Sequence, residues 1–334
     1  MPPLGASSAF VVWGPRQRGP RSLALARELG VEVVLFMTGW RRSGARWALP
    51  KYLVQAALTA GALLVRRPRI VFVQSPPSFA AWVVSAYCRL SGAVYVIDAH
   101  SAAFQVRVWR RPRWLHERVA RGAVATLVTD EHWAETVRAQ GSPVMVIPDA
   151  PTEFPRDPAY PPSARFRIAV VNTWAPDEPL VSILEAARGL PDVEFVVTGA
   201  LSGATVDTAA APPNVRFSGF LPEPTYHALL DASDAVMCLT TRDHTMQRGA
   251  CEALSHARPI VTSDWPRLRS YFRKGAVFVD DSSASIRSGV ERLRAGYDGY
   301  RREIAELRSE ERAAFRGRRE ALVAAIAERL RVAA

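Results

Sequence analysis

Polar side chains follow a short apolar stretch in the segment TTRDHTMQRGACEALSHARPIVTSD, which covers residues 240–264. The apolar residues 235–239 predict a buried strand, and polar and small residues come directly after it. Arg242 and Arg248 are able to donate charge-assisted hydrogen bonds to a phosphate group. Glu252 follows Arg248 by four residues on one face of a predicted helix, where its carboxylate can accept hydrogen bonds from a diol. The segment therefore predicts an anion-binding site at the end of a buried strand.

The same spacing also has a simpler interpretation. Arg248 and Glu252 can form an ordinary exposed i,i+4 ion pair, and such pairs stabilise a helix by only about 0.3–0.5 kcal/mol. The position directly after a buried strand favours the binding site over the simple pair. We expect Asp243 or Thr245 to cap the helix that follows. The small residue Gly249 leaves room for a ligand or for a neighbouring strand.

A second pair of titratable residues lies at the end of another predicted strand, residues 94–98. Asp98 ends this strand and His100 follows two residues later, so both lie at one edge of the sheet. Histidine is the usual proton acceptor near neutral pH, and a carboxylate can orient its ring. The alternative is that Asp98 caps a turn and His100 is a surface histidine. A third polar group, residues 130–132, is more typical of a helix start with Asp130 as the N-cap.

Short apolar runs alternate with helical patterns along the chain, and this alternation predicts parallel βαβ units. The first series of predicted strands is 9–12, 31–36, 70–74, 94–98, 126–129 and 144–147, and the second is 167–172, 194–198, 215–217, 235–239, 259–262 and 276–279. The proline-rich residues 148–163 separate the two series, because proline stiffens a connector and interrupts regular structure.

These patterns predict an α/β fold with two Rossmann-like, doubly wound parallel sheets that face a cleft. We place one domain at residues 1–150, a second at 151–285, and C-terminal helices at 286–334 that pack back toward the first domain. Ligands bind such sheets beyond the carboxyl ends of the strands, where helix N-termini point at the ligand.

The composition limits the class of protein. Hydrophobic residues make up 49% of the 334, which is enough for a globular core and excludes global disorder. The net charge is +11, so the surface attracts anions such as phosphates, acidic lipid headgroups or nucleic acid. Cys88, Cys238 and Cys251 are far apart, in apolar or small-residue settings. They are expected to be buried in a reducing compartment and to form neither a metal site nor a disulfide framework.

Two segments, residues 38–52 and 108–121, interleave tryptophan with arginine. This composition suits the interface of an anionic membrane, and we favour it over nucleic acid because no nucleic-acid fold signature is present. Core tryptophans beside solvated arginines are the simpler alternative. The N-terminus lacks a signal-peptide pattern, and the apolar run 52–65 is shorter than a bilayer span. We therefore expect a cytoplasmic protein, peripheral on the inner face of the membrane.

At this point the chain resembles a known group, the GT-B glycosyltransferases, and within it family 4. That family has two glutamates eight positions apart around the helix after a donor-domain strand. Here the second matches Glu252, and His244 stands at the first position. VQSPPSFAAW (73–82), VIDAHS (96–101) and VVNTWAPDEPLVSILEAARGLP (170–191) resemble the β-1,4-mannosyltransferases that act on dolichol-linked chitobiose.

The resemblance implies that the N-terminal domain binds the acceptor and the C-terminal domain binds a nucleotide-sugar donor. It implies His100, backed by Asp98, as the catalytic base or as the group that stabilises the leaving side. Glu252 would hold ribose, whereas Arg242 and Arg248 would face the diphosphate without a metal or other cofactor. The full donor-binding set that we predict is Asn172, Thr173, Trp174, Gly199, Phe220, Leu221, Arg242, His244, Gln247, Arg248, Gly249 and Glu252.

These expectations describe a glycosyltransferase that moves a hexosyl group from a nucleotide diphosphate-sugar to a glycan acceptor. The acceptor is expected to be a lipid-linked or surface-polysaccharide precursor. Transfer to a soluble natural product and a GT-B nucleotide-sugar epimerase remain as alternatives, and a non-catalytic nucleotide-sugar binder is a third. An epimerase needs no acceptor or membrane contact, and a binder would hold the donor without hydrolysis or transfer.

Overall fold

The structure, a computed structural model, describes residues 7–14, 20–38, 47–154, 160–243 and 245–333. All twelve predicted strands are present, with ends that differ by at most two residues from the prediction. The strands are β1 (Ser8–Val12), β2 (Val33–Phe36), β3 (Ile70–Ser75), β4 (Val94–Ala99), β5 (Thr126–Val128), β6 (Val144–Val146), β7 (Phe166–Val170), β8 (Val193–Thr198), β9 (Val215–Gly219), β10 (Ala235–Cys238), β11 (Ile260–Ser263) and β12 (Ala276–Val279). The α-helices are α1 (Pro20–Leu29), α2 (Ala48–Arg66), α3 (Ser78–Ser91), α4 (Ala102–Gln105), α5 (Arg113–Gly122), α6 (Glu131–Ala139), α7 (Leu180–Arg188), α8 (Glu223–Asp231), α9 (Arg248–Ser255), α10 (Pro266–Tyr271), α11 (Ser283–Ala295) and α12 (Tyr297–Ala333).

The chain divides into two compact units. Unit 1 contains residues 1–149 together with 314–334, and unit 2 contains residues 150–313. The long helix α12 therefore contributes its first part to unit 2 and its last part to unit 1.

Unit 1 is built on a six-stranded parallel sheet with the order β2-β1-β3-β4-β5-β6. Strands β1, β3 and β4 are buried along their whole length, as expected for a parallel sheet covered on both faces. Helix α3 covers one face through buried residues that include Ala80, Val84 and Cys88. Asp98 and His100 therefore lie at and just beyond the carboxyl end of a fully buried central strand.

Unit 2 is built on a second six-stranded parallel sheet with the order β12-β11-β10-β7-β8-β9. The chain runs from β7 to β9 on one side and then returns to β10 on the other side of β7. This reversal is the topological switch point, where open α/β sheets bind their ligands beyond the strand carboxyl ends. The loops after β7 and β10 are therefore the places to search for a site.

All three cysteines are buried, as the sequence predicts, and none of them forms a disulfide bond. Burial raises the pKa of the Cys88 thiol and of the Cys238 thiol to about 12. Both thiols therefore stay protonated near neutral pH and behave as small core side chains.

Helix α2 is longer than the apolar run 52–65 from which we predicted that no membrane span is present. It extends over the 19 residues Ala48–Arg66, and within the described residues it is the one helix long and apolar enough to cross a membrane by length and composition. Only 17% of its most apolar window is buried. The length of the apolar run 52–65 therefore does not by itself decide whether this helix crosses a membrane.

Candidate functional site

Asp177 joins the two loops that flank the switch point of unit 2. Thr240, which follows β10, donates from Oγ1 to Asp177 Oδ2 at 2.8 Å, and the Thr241 N–H donates to the Asp177 carbonyl at 2.8 Å. The Arg242 guanidinium lies 3.4 Å from the other Asp177 carboxylate oxygen while its side chain remains largely exposed. The loop after β10 is thereby fixed against the loop after β7, with a cation at its tip.

Glu178 organises the loop after β7 from the inside. Its carboxylate accepts hydrogen bonds from the Thr173 N–H at 2.8 Å, the Thr173 hydroxyl at 2.9 Å and the Ala175 N–H at 2.9 Å. The Asn172 N–H donates to Thr198 Oγ1 at 3.1 Å, which ties the start of the loop to the end of β8. Thr173 and Asn172 thus lie directly after β7, where Glu178 holds Thr173 and Thr198 holds Asn172.

Trp174 has a mainly structural position. Its backbone is left-handed, with φ of 63°, and its ring is buried and stacks on Phe217 with centroids 5.8 Å apart. Gly199, at φ 113°, passes so close that an added Cβ would lie 2.7 Å from the Trp174 ring nitrogen. Both residues therefore shape the loop. Phe220 is 76% exposed and available to a ligand, whereas Leu221 packs against the core.

Glu252 is buried, and both of its oxygens have partners. Arg248 Nε donates to Oε1 at 2.8 Å, and the Tyr226 hydroxyl donates to Oε2 at 2.7 Å. Burial, reinforced by the Glu252 charge, raises the pKa of Tyr226 well above 10, so the phenol stays a donor. The i,i+4 pair of the simpler interpretation does form, but its carboxylate is buried rather than solvated.

Helix α9 begins without a side-chain cap, contrary to the prediction that Asp243 or Thr245 caps it. The N-cap is Gln247, and no side-chain hydrogen bond closes this helix end. Thr245 instead donates to the Asp243 carbonyl at 3.4 Å, and the Gln247 side chain accepts from the Cys238 thiol at 3.1 Å. Within the first turn of α9, the N–H groups of Gly249 and Ala250 point to the Cys238 sulfur, and the Arg248 guanidinium lies at the helix start. His244 lies outside the described residues.

Gly249 is required by packing. A Cβ at this position would lie 2.7 Å from a methyl carbon of Val171 and 3.0 Å from the Cys238 sulfur. Of the two reasons that the sequence offers for a small residue here, the neighbouring strand accounts for it. The start of α9 is thereby held tightly against β7 and β10.

In unit 1, Asp98 and His100 form the pair that the sequence suggests. His100 Nε2 lies 3.1 Å from Asp98 Oδ2, and Asp98 is fully buried. Although burial alone opposes ionisation, Arg21 and His100 hold the pKa of Asp98 well below its usual range. An ionised carboxylate only accepts hydrogen bonds, so Nε2 carries the proton and Nδ1 is the basic nitrogen of the neutral ring. Asp98 therefore orients a candidate proton acceptor.

Arg21 and Ser22, at the start of α1, support Asp98 and were missed by the sequence reasoning. Arg21 Nε donates to Asp98 at 3.2 Å, and the Ser22 hydroxyl donates to it at 2.9 Å. Arg21 also pairs with Asp149 and donates to the Ile147 carbonyl at 2.8 Å. These contacts join residues more than 70 positions apart, so no local spacing in the sequence indicates them.

Asp130 is the N-cap of α6, as predicted, and accepts a hydrogen bond from the Trp133 N–H at 3.2 Å. Two described tryptophans of the predicted Trp–Arg segments differ in exposure. Trp109 lies in an aromatic cluster with Tyr52 and Phe79, whereas Trp114 is exposed. Residues 39–46 of the first segment lie outside the described residues.

A cavity of about 900 Å³ lies within unit 1, between the sheet and α3–α6. Phe104 and Trp133 stack on each other in its wall, and Arg107 and Arg111 are among its lining residues. Two buried polar atoms of this wall, Thr126 Oγ1 and Trp133 Nε1, have no hydrogen-bond partner in the described part of the chain. The cavity combines flat aromatic surface with unused hydrogen-bonding groups and cations, as binding sites for polar ligands with apolar faces do.

Comparison with known proteins places these sites in a family context. Residues 181–329, less than half of the chain, match a family model described as "Glycosyl transferase-like". No curated protein matches the chain. A glycosyltransferase from Rickettsia africae is similar in structure, with a TM-score of 0.67 and 10% identity over 97% of this chain and 98% of that one. HepE from Anabaena, solved with UDP, has a TM-score of 0.65 and 13% identity over 98% and 100% of the two chains.

A UDP-N-acetylglucosamine 2-epimerase from Listeria monocytogenes, described as putative, shares the same architecture. Its TM-score is 0.60 at 11% identity, over 90% of this chain and 91% of that one. At such identities the structural likeness establishes the fold. The two parallel six-stranded sheets and the similarity to these structures confirm the predicted α/β fold of GT-B type. The more specific similarity to mannosyltransferases is not confirmed. The chain therefore has the GT-B fold, and its residues 181–329 are similar to glycosyltransferases.

Proposed function

We propose that the protein transfers a sugar from a nucleotide diphosphate-sugar to the hydroxyl of a lipid-linked or polysaccharide-precursor glycan at the inner face of the membrane. The observation that carries the donor half of this proposal is the switch point of unit 2. There Asp177 joins the two loops, Arg242 lies in the loop after β10, and α9 begins at Arg248 without a side-chain cap.

The donor diphosphate is assigned to this helix start. The helix dipole favours an anion there, and Arg242 and Arg248 supply the neutralising charge, so no metal is needed. HepE, similar in fold, has been solved with UDP and with UDP-glucose, which supports a donor of this class. Glu252 would hold the ribose hydroxyls with the acceptor capacity that remains beside its bonds to Arg248 and Tyr226.

His100 is assigned to the acceptor hydroxyl. Its Nδ1 takes the hydroxyl proton as the acceptor oxygen bonds to the anomeric carbon, and the bond from that carbon to the diphosphate oxygen breaks with its electron pair. Asp98 stabilises the imidazolium that forms. The aromatic cavity of unit 1 would receive part of the acceptor, because sugar rings stack on aromatic faces and hydroxyls can use Thr126 and Trp133.

The epimerase remains the second candidate, because a protein described as a putative epimerase has the same architecture. The two functions separate in one experiment. The protein is incubated with UDP-, GDP- and dTDP-sugars, with and without a polyprenyl diphosphate-linked glycan, and the nucleotide and sugar products are identified. Release of nucleoside diphosphate that depends on the acceptor, with a longer glycan formed, supports transfer. A changed sugar with no acceptor requirement overturns the proposal.

A thermal-shift series with the same nucleotides and sugars precedes the activity assay. A ligand that binds only the folded protein raises the unfolding midpoint in step with RT ln(1 + [L]/Kd). A sugar nucleotide that raises the midpoint but gives neither transfer nor hydrolysis would instead indicate the non-catalytic binder.

A further inference from the structure

Helix α2 presents an unbroken apolar face to the outside of unit 1. At 100° per residue, the exposed positions between 49 and 65 cover about half of the helix circumference. They are Leu49, Leu53, Val54, Ala57, Leu58, Gly61, Leu64 and Val65, and none of them is polar or charged. Four of the side chains are exposed to 61–83%. An apolar surface this continuous on a helix marks a contact with a partner or with lipid.

The opposite face of α2 is fixed to unit 1. Leu63 is fully buried, Thr59 Oγ1 accepts a hydrogen bond from Trp13 Nε1 at 2.8 Å, and Gln55 Nε2 donates to the Met37 carbonyl at 2.6 Å. A helix that left unit 1 to cross a bilayer would break these buried bonds and would place Gln55 and Thr59 in hydrocarbon. The packing therefore favours a helix that stays on the protein and meets a surface with its outer face.

The charged residues around α2 indicate which kind of surface its apolar face contacts. Lys51 lies in the first turn, and Arg66, Arg67 and Arg69 are exposed at its end. Residues 48–69 contain no aspartate or glutamate, and the whole chain has a net charge of +11. A second copy of the chain would bring the same cations together, whereas acidic headgroups neutralise them. Apolar side chains bordered by cations are the composition of an interfacial helix.

We propose that α2 is the membrane-docking element of the protein. It lies in the plane of an anionic bilayer, with its apolar face at the boundary between headgroups and acyl chains and its terminal arginines among the phosphates. This assignment rests on the proposed function for its purpose, namely to bring the protein to a lipid-linked acceptor. It moves the predicted membrane contact away from Trp109, whose ring packs in the aromatic cluster.

Vesicle flotation tests the assignment without donor or acceptor. The full-length protein is mixed with phosphatidylcholine vesicles, with and without phosphatidylglycerol. We expect binding that requires the anionic lipid and weakens with salt. The double variant Leu53→Gln with Leu64→Gln should bind about tenfold less or worse, because it removes apolar area from the interface. Val181→Gln with Leu201→Gln, equally exposed but in unit 2, is the matched control and should bind like the parent.

A charge variant tests the second part of the assignment. Arg66→Gln with Arg69→Gln should lose the preference for phosphatidylglycerol, and it leaves Arg67 in place because that residue has the left-handed φ of 50° that ends the helix. Circular dichroism melts of every variant confirm that loss of binding is not loss of folding.

Three outcomes would overturn the assignment: no flotation of the parent with either vesicle, equal loss in the unit 2 control, or unchanged flotation of the α2 variants. Sedimentation that shows a dimer dissolved by Leu53→Gln with Leu64→Gln, in a protein that ignores vesicles, would assign the face to a second copy instead. Thermal shift with UDP-sugars is measured on the same variants. Retained donor binding with no flotation removes only the docking role, whereas flotation without any donor binding counts against the proposed function alone.

Discussion

Thr240 donates a 2.8 Å hydrogen bond to Asp177 across the two loops that end β10 and β7. Thr240 is fully buried, and its own N–H and carbonyl are bound by Ser263 and Trp265 at 2.8 Å each. The side-chain bond is therefore a fixed link between the loops after two adjacent strands, and it joins residues that are 63 positions apart in the chain.

Loss of this link should loosen the proposed diphosphate site. We expect Asp177→Ala to raise the donor Kd about tenfold, the equivalent of one lost hydrogen bond to a charged group. Thr240→Val should produce a similar change, and the double variant should show less than the sum of the two, because they share one bond. Calorimetric titration with UDP and its sugars measures the effect. Additive losses would show that the two residues act separately.

Glu252→Gln should weaken donor binding about 10–100-fold, because a charged acceptor for the ribose hydroxyls becomes a neutral amide. The glutamine side chain can still accept a hydrogen bond from Tyr226, so Glu252→Gln should destabilise the fold less than Glu252→Ala would. Glu185→Gln, an exposed glutamate on α7, serves as the control. Titration with donor is the measurement, and equal affinity in the Glu252 variant would remove Glu252 from the donor site.

His100→Ala should lower kcat by about 10²–10⁴ while donor affinity changes little, because the base acts on the acceptor hydroxyl. Asp98→Asn should lower kcat in the same direction, since the ring loses the carboxylate that fixes its tautomer. The exposed His132→Ala is the comparison variant. Steady-state kinetics of the three variants are the measurement. A His100→Ala variant with the parental kcat would show that His100 is not the base.

Gly249→Ala should destabilise unit 2 by about 1–3 kcal/mol, because the added methyl collides with Val171. Gly317→Ala in α12 meets nothing within 4 Å and should instead stabilise by about 0.5–1 kcal/mol, since alanine is the better helix former. Urea unfolding of both variants tests the contrast. A neutral Gly249 variant would show that the start of α9 is able to move away from β7.

His227 should make the protein sensitive to mild acid. Burial, aided by His256 and Arg248, lowers the pKa of His227 to about 3, below its ordinary 6.5. Below about pH 6.5, His227 binds a proton in the unfolded chain but stays neutral in the folded chain. This residue therefore lowers the free energy of unfolding as the pH falls toward about 3. His227→Gln should flatten the fall between about pH 7 and 5. Asp281, whose pKa burial raises to about 6, acts in the opposite direction and is common to both proteins.

The prediction is tested by comparing how steeply the free energy of unfolding changes with pH in the parent protein and in His227→Gln. Urea titrations of the parent and of His227→Gln at matched ionic strength supply them. Parallel slopes would mean that His227 is protonated in the folded protein.

The strands of both units follow from the sequence because each is an apolar run between helical patterns, and burial on both faces of a parallel sheet leaves that signature directly. The pairing of Asp98 with His100 is also predictable, because both lie on one short stretch after β4. Glu252 with Arg248 is predictable for the same reason, since helical spacing fixes their neighbourhood.

Contacts between residues that only the fold brings together could not be predicted from the sequence. Asp177 was quoted within a motif but received no role, because nothing local says that it meets Thr240. Tyr226 reaches Glu252 from another helix, and Arg21 reaches Asp98 from the start of α1. The capping prediction at Asp243 or Thr245 failed because α9 begins at Arg248, with Gln247 as its N-cap residue. The spacing of residues in the sequence indicates contacts within one helix or strand, whereas the order of the strands in the sheet determines the contacts between elements.

The division of α12 between the units has a consequence for biosynthesis. Residues 314–334 belong to unit 1, and Leu322 and Ile326 within them are buried. A ribosome releases these residues only after all of unit 2, so the N-terminal part of unit 1 must wait as an incomplete core while unit 2 emerges. A fragment cut at residue 149 should accordingly be prone to aggregation, and adding residues 314–334 as a separate peptide should rescue its solubility.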